Sequence, residues 1–247
     1  FLTLIDAKID KQRQKVDALE EYKKGLLKKI FSQEIRFKDD DGNDYPDWRF
    51  MKFSDVYELL PTNSFSREKM SNTNGIIHNI HYGDIHTRFS TILDVESATI
   101  PYIINSFETT NFTYCIDGDL IIADASEDYK DIGKAIEIVN VGQKIIVAGL
   151  HTILARNTSN LISLMYSGYM MQSALVHKQI QTLAAGAKVL GISKSNIASI
   201  VVPIPDKDEQ SKIVMLLHNL DNIISFENDK LDHLAIYKKG LLQQMFV

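Results

Sequence analysis

Apolar positions at the two ends of this chain recur at steps of three and four, and between the ends they fall into short runs. Leu2, Ile5, Ile9, Gln12, Val16, Leu19, Lys23, Leu26 and Ile30 fall on the a and d positions of a heptad repeat. Leu217, Leu220, Ile224, Glu227, Leu231, Leu234, Lys238, Leu241 and Met245 do the same at the other end. The second set is the first displaced by 215 positions, and Leu2–Ser32 aligns without gaps on Leu217–Val247. Identical pairs include Leu2/Leu217, Asp6/Asp221, Ile9/Ile224, Lys15/Lys230, Asp17/Asp232, Leu19/Leu234 and Phe31/Phe246, and Tyr-Lys-Lys-Gly-Leu-Leu occurs at both Tyr22 and Tyr237. An internal repeat of this kind decides architecture before anything else does. It predicts two similar helices of roughly 45–55 Å at ~1.5 Å per residue. Each seam carries polar residues at the same two places, Gln12 with Glu227 and Lys23 with Lys238. A polar residue in a seam costs stability and fixes register. The helices are therefore expected to pack on each other or on copies in a second chain, with Ile5, Ile9, Gln12, Val16 and Leu19 facing Leu220, Ile224, Glu227, Leu231 and Leu234. Gly25 and Gly240 lie inside good helical sequence at a cost of about 1 kcal/mol each. A close helix crossing would compensate it, and a frayed helix end is the alternative.

The intervening body reads as many short elements. Phe37–Trp48 is turn-rich, with Gly42 and Pro46, and Trp48 is expected to close a core. A strand follows at Phe50–Phe53, then a helix at Asp55–Leu60 capped by Ser54 and a polar loop at Thr62–Asn74. Gly75–Phe89 reads as strand, turn at Gly83-Asp84, strand. Strands are expected at Leu120–Ala123, Gly133–Val139, Lys144–Val147, Thr152–Ala155 and Ile200–Ile204. Leu161–Leu183 reads as one helix, Ala184–Gly191 as a loop, and Lys194–Ser199 as a short helix capped by Ser193. Asp206 and Glu209 form a capping box for the last helix. The fold class is α+β: a mixed globular domain of short strands at 33–208, flanked by two long antiparallel coiled-coil-type helices at 1–32 and 209–247.

Charge sharpens the division. The net charge of 247 residues is −5, but residues 1–32 carry eight Lys/Arg against five Asp/Glu, while 33–210 carry fifteen against twenty-three. An acidic body counts against nucleic-acid binding unless basic surface is local. No apolar run approaches the ~20 residues that span a bilayer. The chain opens on Phe1 rather than Met, as a fragment would, and its single cysteine, Cys115, fits a reducing cytosol.

The usual catalytic patterns are missing. There is no Walker A loop and no glycine fingerprint between strand and helix, and the Asn/Asp-Pro-Pro-aromatic methyltransferase signature is absent. The carboxylates of Pro205–Glu209 are explained by helix capping. His78, His81 and His86 lie close together but lack a further ligand at metal-binding spacing. Neither Ser126 nor Cys115 has a base nearby in sequence.

Four stretches in combination carry a resemblance: YKKGLLKKIFSQEIRF at Tyr22–Phe37 followed by DDGNDYPDW at Asp40–Trp48, GDLIIA at Gly118–Ala123, LGISKSNIASIVVPIPDKDEQSKI at Leu190–Ile213, and YKKGLLQQMF at Tyr237–Phe246. The chain resembles half of a specificity subunit of type I restriction-modification enzymes: one helix, one target-recognition domain and a second helix. The resemblance implies a non-catalytic subunit that reads one half of a bipartite site in double-stranded DNA. It also implies docking of DNA methyltransferase subunits, which would supply S-adenosylmethionine, and association with restriction/translocase subunits through the complex. It places the protein in a prokaryotic cytoplasm, away from membranes and with no cofactor of its own. Either the chain is the second half of a longer subunit or it is a natural half-subunit that forms a homodimer. A helix of ~45 Å would span roughly thirteen base pairs and act as a spacer.

Recognition domains vary among members, so the DNA-contact residues are chosen by chemistry. His81, Tyr82, His86 and Arg88 form a basic, aromatic segment; Arg67 and Lys69 lie in the loop after Pro61; Lys130 and Lys134 flank Gly133. Lys188, Ser193, Lys194 and Asn196 surround a helix start, where N–H groups meet phosphate. Two rival functions are a metal-dependent nuclease built on the carboxylates and histidines, and a coiled-coil scaffold whose acidic body binds protein.

Overall fold

The computed structural model describes residues 2–104 and 112–245. Two compact units emerge: Phe1–Arg36 with Lys212–Val247, and Phe37–Ser211. Helix α1 runs Leu2–Phe31, and the final helix begins at Lys207 and ends at Met245. Phe246 and Val247, the last two positions of the repeat, lie outside the described residues.

In the helical unit the periodicity becomes a seam. Ile5, Ile9, Val16 and Leu220 are buried, and Leu19, Ile224, Leu231 and Leu234 are half-buried. Gln12 Nε2 donates to both the side-chain Oε2 and the backbone O of Glu227, each at 2.8 Å. Asp6 pairs with Lys238, and Asp221 pairs with Lys23. Partners rise along one helix as they fall along the other, so the pair is antiparallel within one chain. Asp6 and Asp221 are equivalent in the repeat, as are Lys23 and Lys238. The two ion pairs are therefore one interaction made twice, about an approximate two-fold axis at Gln12/Glu227. The close crossing expected at Gly25 and Gly240 is not there: a Cβ at either would meet nothing within 4 Å among the described residues.

The body contains, in chain order, β1 (Arg49–Lys52), β2 (Tyr57–Leu60), β3 (Met70–Ser71), β4 (Ile77–Ile80), α2 (Tyr82–Thr87), β5 (Ile92–Asp94) and β6 (Tyr102–Ile103). Then come β7 (Leu120–Ala123), β8 (Ala125–Ser126), β9 (Ala135–Val139), β10 (Ile145–Ala148), β11 (Thr152–Asn157), α3 (Tyr166–Gln172) and α4 (Ala174–Leu183). The body ends with β12 (Leu190–Gly191), α5 (Lys194–Ser199) and β13 (Val201–Ile204), and α6 (Lys207–Met245) leaves it. One sheet has the order β2-β11-β7-β9-β5 and a second the order β10-β4-β6-β3; β1/β13 and β8/β12 are two-stranded ribbons. A core of Ile80, Ile85, Ile121, Ile136, Ile146 and Leu154 draws on both larger sheets and on α2. Trp48 is buried and its Nε1 donates to Glu209 Oε2 at 2.9 Å. Glu209 Oε1 accepts from Phe37 N–H at 3.4 Å. Asp206 caps α6 by accepting from Asp208 N–H at 2.9 Å.

Three expected elements differ. Asp55–Leu60 is not a helix: after a 3-10 turn at Phe53–Asp55, β2 pairs antiparallel with β11, Leu60 opposite Leu154 and Tyr57 opposite Asn157. That pairing outweighs local helix propensity. The second strand expected before Phe89 is α2, because His81 Nδ1 accepts from Gly83 N–H at 3.1 Å and starts a helix. The single helix expected at Leu161–Leu183 is two, broken where the Ser173 side chain caps α4 by accepting from Val176 N–H.

Candidate nucleic-acid interface

One end of the five-stranded sheet gathers segments that are far apart in sequence. β2 and β7 finish there and β11 begins there, with Leu60 and Ala123 flanking the start of β11. The β10–β11 connection, Gly149–His151, forms its tip. Gly149 is required at this point, since a Cβ would lie 2.6 Å from the Asn79 side chain and 2.8 Å from Ile80 O. Asn63 N–H donates to Ala148 O at 3.0 Å, and Thr62 Oγ1 donates to Thr152 O at 3.2 Å. Asp124 N–H donates to His151 O at 3.1 Å, and Ile192 N–H donates to Asp124 O at 2.8 Å. Lys194 Nζ donates to Leu60 O at 3.0 Å. Helix α2 abuts the same end through Tyr82 N–H, which donates to Leu150 O at 3.4 Å, and through His86 Nε2, which donates to Ala125 O at 2.9 Å.

The expected contact residues divide between this surface and structural roles. Tyr82 sits edge-on to His151, ring centres 5.2 Å apart, and stacks obliquely on His81 at 4.6 Å. His81 itself is buried as the cap of α2. Burial, reinforced by the nearby Arg67 guanidinium, holds its imidazole below the ordinary histidine value and keeps it a neutral acceptor. Arg67 grips the buried carboxylate of Asp84 through two bonds of 2.9 Å, and Arg88 adds a third at 3.3 Å. Both side chains stay partly exposed, at 49% and 39%. Lys134 Nζ donates to His86 O at 2.8 Å, and Lys69 lies over the Phe65 ring. Ser193 caps α5 by accepting from Asn196 N–H at 3.1 Å, while Asn196 Nδ2 donates to Leu183 O at 3.0 Å. Lys130 and Lys188 are exposed. Tyr82, His86 and Lys194 therefore converge on the sheet end, with Ser193 beside Lys194. Arg67 and Arg88 converge on Asp84 next to it. Lys130 sits apart, on the loop that Tyr129 ties to α4 through Gln181 O.

The rival chemistry finds little support in the geometry. His78 Nδ1 is bonded to Ile100 O at 2.9 Å, and with His81 and His86 engaged as above the three rings serve separate partners. Among the described residues no group of three or more His, Cys, Asp or Glu side chains is placed to hold a metal ion. Asp119 and Glu137 line one cavity of about 220 Å³. Asp119 is held by Arg156 through bonds of 2.8 and 2.7 Å, and Glu137 accepts from Met165 N–H at 2.6 Å and Gly168 N–H at 2.8 Å. Burial pushes the Glu137 carboxyl up to about 7 against those two bonds. Burial also pushes the Cys115 thiol well above its ordinary value, which makes it a poor nucleophile.

The model of the type I restriction modification DNA specificity domain matches residues 45–235. The chain belongs to that family. Its fold is also similar to the HsdS subunit of Thermoanaerobacter tengcongensis, at 15% identity and a TM-score of 0.53, over 99% of this chain and 56% of that one. A second similar chain comes from work on complex assembly and conformational transition of the type I R-M system, at 14% identity and a TM-score of 0.56, over 98% of this chain and 57% of that one. The chain thus spans just over half the length of these structures. No helix among the described residues is long and apolar enough to cross a membrane.

Within this specificity-family fold, two residues at the sheet end escape a reading by sequence. His151 is exposed, adopts φ 55, and contacts Asp124 through Nδ1 at 3.2 Å. The signal available for it was its position in a four-residue connection between two expected strands. Asp124, at the end of the buried run LIIA, carries no such signal.

Proposed function

We propose that this chain is a non-catalytic DNA-specificity module whose body reads one half of a bipartite site in double-stranded DNA. The helix pair sets the spacing to the other half and docks DNA methyltransferase subunits. Those subunits bring S-adenosylmethionine, and restriction/translocase subunits join through the assembled complex, in a prokaryotic cytoplasm. The observation that carries this reading, beside family membership, is the internal two-fold symmetry of the helix pair: Asp6–Lys238 and Lys23–Asp221 are the same contact on either side of Gln12/Glu227. A pair built this way presents equivalent surfaces at its two ends, which suits two copies of one partner.

The outward faces support the same view. Lys8 and Lys11 on α1 are replaced at the equivalent positions of α6 by the exposed Ile223 and Phe226. The outward face around Tyr-Lys-Lys-Gly is nevertheless kept: Tyr22 and Tyr237 are 62% and 56% exposed. Gly25 and Gly240 cost helix stability and, among the described residues, make no packing contact that would require them. Space reserved for a close-approaching partner accounts for both. From the axis to each glycine is about 20 Å along the helix, at ~1.5 Å per residue.

The test is methylation profiling of DNA from cells with and without this gene. A split recognition sequence whose methylation depends on the gene is the expected result. A palindromic sequence identifies paired half-subunits, and an asymmetric one a longer parent subunit. No gene-dependent methylation, together with no sequence enriched from a randomised DNA library in the presence of the methyltransferase, sinks the reading in favour of a protein-binding scaffold.

A further inference from the structure

We propose that His151 is a specificity-determining residue, a base reader that presents Nε2 to the major-groove edge of DNA while Asp124 holds its Nδ1. The inference rests on the DNA-reading function proposed above. It identifies one side chain and one kind of base atom.

Four features single out His151. It stands at the tip of a connection fixed from both sides, by Gly149 N–H donating to Ile80 O at 2.8 Å and by Thr152 Oγ1 donating to Gly149 O at 2.6 Å. Its backbone is left-handed, φ 55, a conformation that histidine adopts more readily than most residues with a side chain. The side chain is 51% exposed. The ring is then held in one orientation by two contacts, the Asp124 carboxylate at 3.2 Å and the edge-on Tyr82 ring at 5.2 Å.

The Asp124 contact also sets the chemistry. A carboxylate that accepts from Nδ1–H turns Nε2 away from Asp124, and in the neutral ring that nitrogen is the one left with a lone pair. In the major groove, an acceptor is matched by an exocyclic amino group, cytosine N4 or adenine N6. Lys194, held at the same sheet end through Leu60 O, and the exposed Lys188, in the turn before β12, can bind phosphates without reading sequence. A tip fixed on rigid strands, with an oriented acceptor and flanking cations, has the parts of direct readout.

The experiment uses the full chain assembled with its methyltransferase subunits and selection from a randomised DNA library at fixed salt, followed by affinities for single-base variants of the selected site. His151→Ala should cut discrimination at one base position by roughly ten- to a hundredfold while leaving the other positions intact. His151→Asn tolerates the left-handed backbone, so it tests readout without refolding the tip; it should change the base preferred at that same position. Asp124→Asn should weaken discrimination there as well. Lys188→Ala should lower affinity for every sequence alike and reduce the salt slope by about 1. The proposal is overturned if His151→Ala and His151→Asn both select the parental sequence with parental discrimination, or if they weaken all sequences uniformly as Lys188→Ala does. A wild-type complex that selects no sequence sinks the DNA-reading function itself, which separates the two failures.

Discussion

The helix pair and the body use polar contacts in opposite ways. In the helix pair, Asp6–Lys238 and Lys23–Asp221 are one contact repeated around an axis, and each joins one helix to the other. In the body, each buried carboxylate is a single solution. Asp84 answers two arginines, Asp119 answers Arg156, Glu137 answers the start of α3, and Glu209 answers Trp48 and Phe37. Repeated contacts define a frame that stays the same whatever it carries. Unrepeated contacts lock loops into one arrangement, and an interface that must read one sequence needs that.

The sharpest break in this comparison lies in the body. Arg156→Ala leaves Asp119, 1% exposed, without its cation. Removing one partner of such a pair should cost about 3 kcal/mol, read as a lower urea midpoint. A loss below about 1 kcal/mol would mean the body tolerates an orphaned carboxylate, as a surface would.

The helix pair breaks with pH instead. Bonds from Gln12, Lys15 and Lys230 hold the Glu227 carboxyl down at about 2, against an ordinary 4.5. A depressed acid stabilises the folded state fully above its unfolded value and loses that contribution as pH falls. Helix pairing should therefore weaken between about pH 4.5 and 2, followed by hydrogen exchange of α1 and α6. Glu227→Gln should remove that part of the pH dependence. An unchanged acid profile in Glu227→Gln would show that the axis is not held by charge.

The smallest effect sharpens the comparison most. Gly25→Ala and Gly240→Ala should each stabilise the isolated chain by about 1 kcal/mol, measured by thermal unfolding. Each should also weaken methyltransferase binding, measured by titration. Stabilisation with unaltered binding would leave the two glycines without a role.

These regions were not equally legible in the sequence. The seam could be read because a helix repeats locally: Ile5, Ile9 and Val16 need only their own spacing to reveal their face. Strands fully buried over four or five residues, such as β7 and β9, were equally plain, as was α5 behind its Ser193 cap. β2 was misread because pairing with β11, almost a hundred residues later, decides it. β3, β5, β6, β8 and β12 are two or three residues long, below any periodic signal. Among the candidate contacts, Tyr82, His86 and Lys194 were chosen by chemistry, and the fold brings them to one sheet end. The arginines gave no hint of their common partner, because Asp84 is acidic sequence like any other until α2 buries it. His151 and Asp124 become neighbours only when β7 pairs with β11.

In the proposed function the body carries sequence choice and the helices carry geometry. The direct measurement exchanges residues 37–211 for the body of another family member, keeps both helices, and maps the methylated sequence. The half-site read by the body should change to the donor's while the spacing between half-sites stays as it was. Retention of the original half-site, or a changed spacing with unchanged helices, contradicts it.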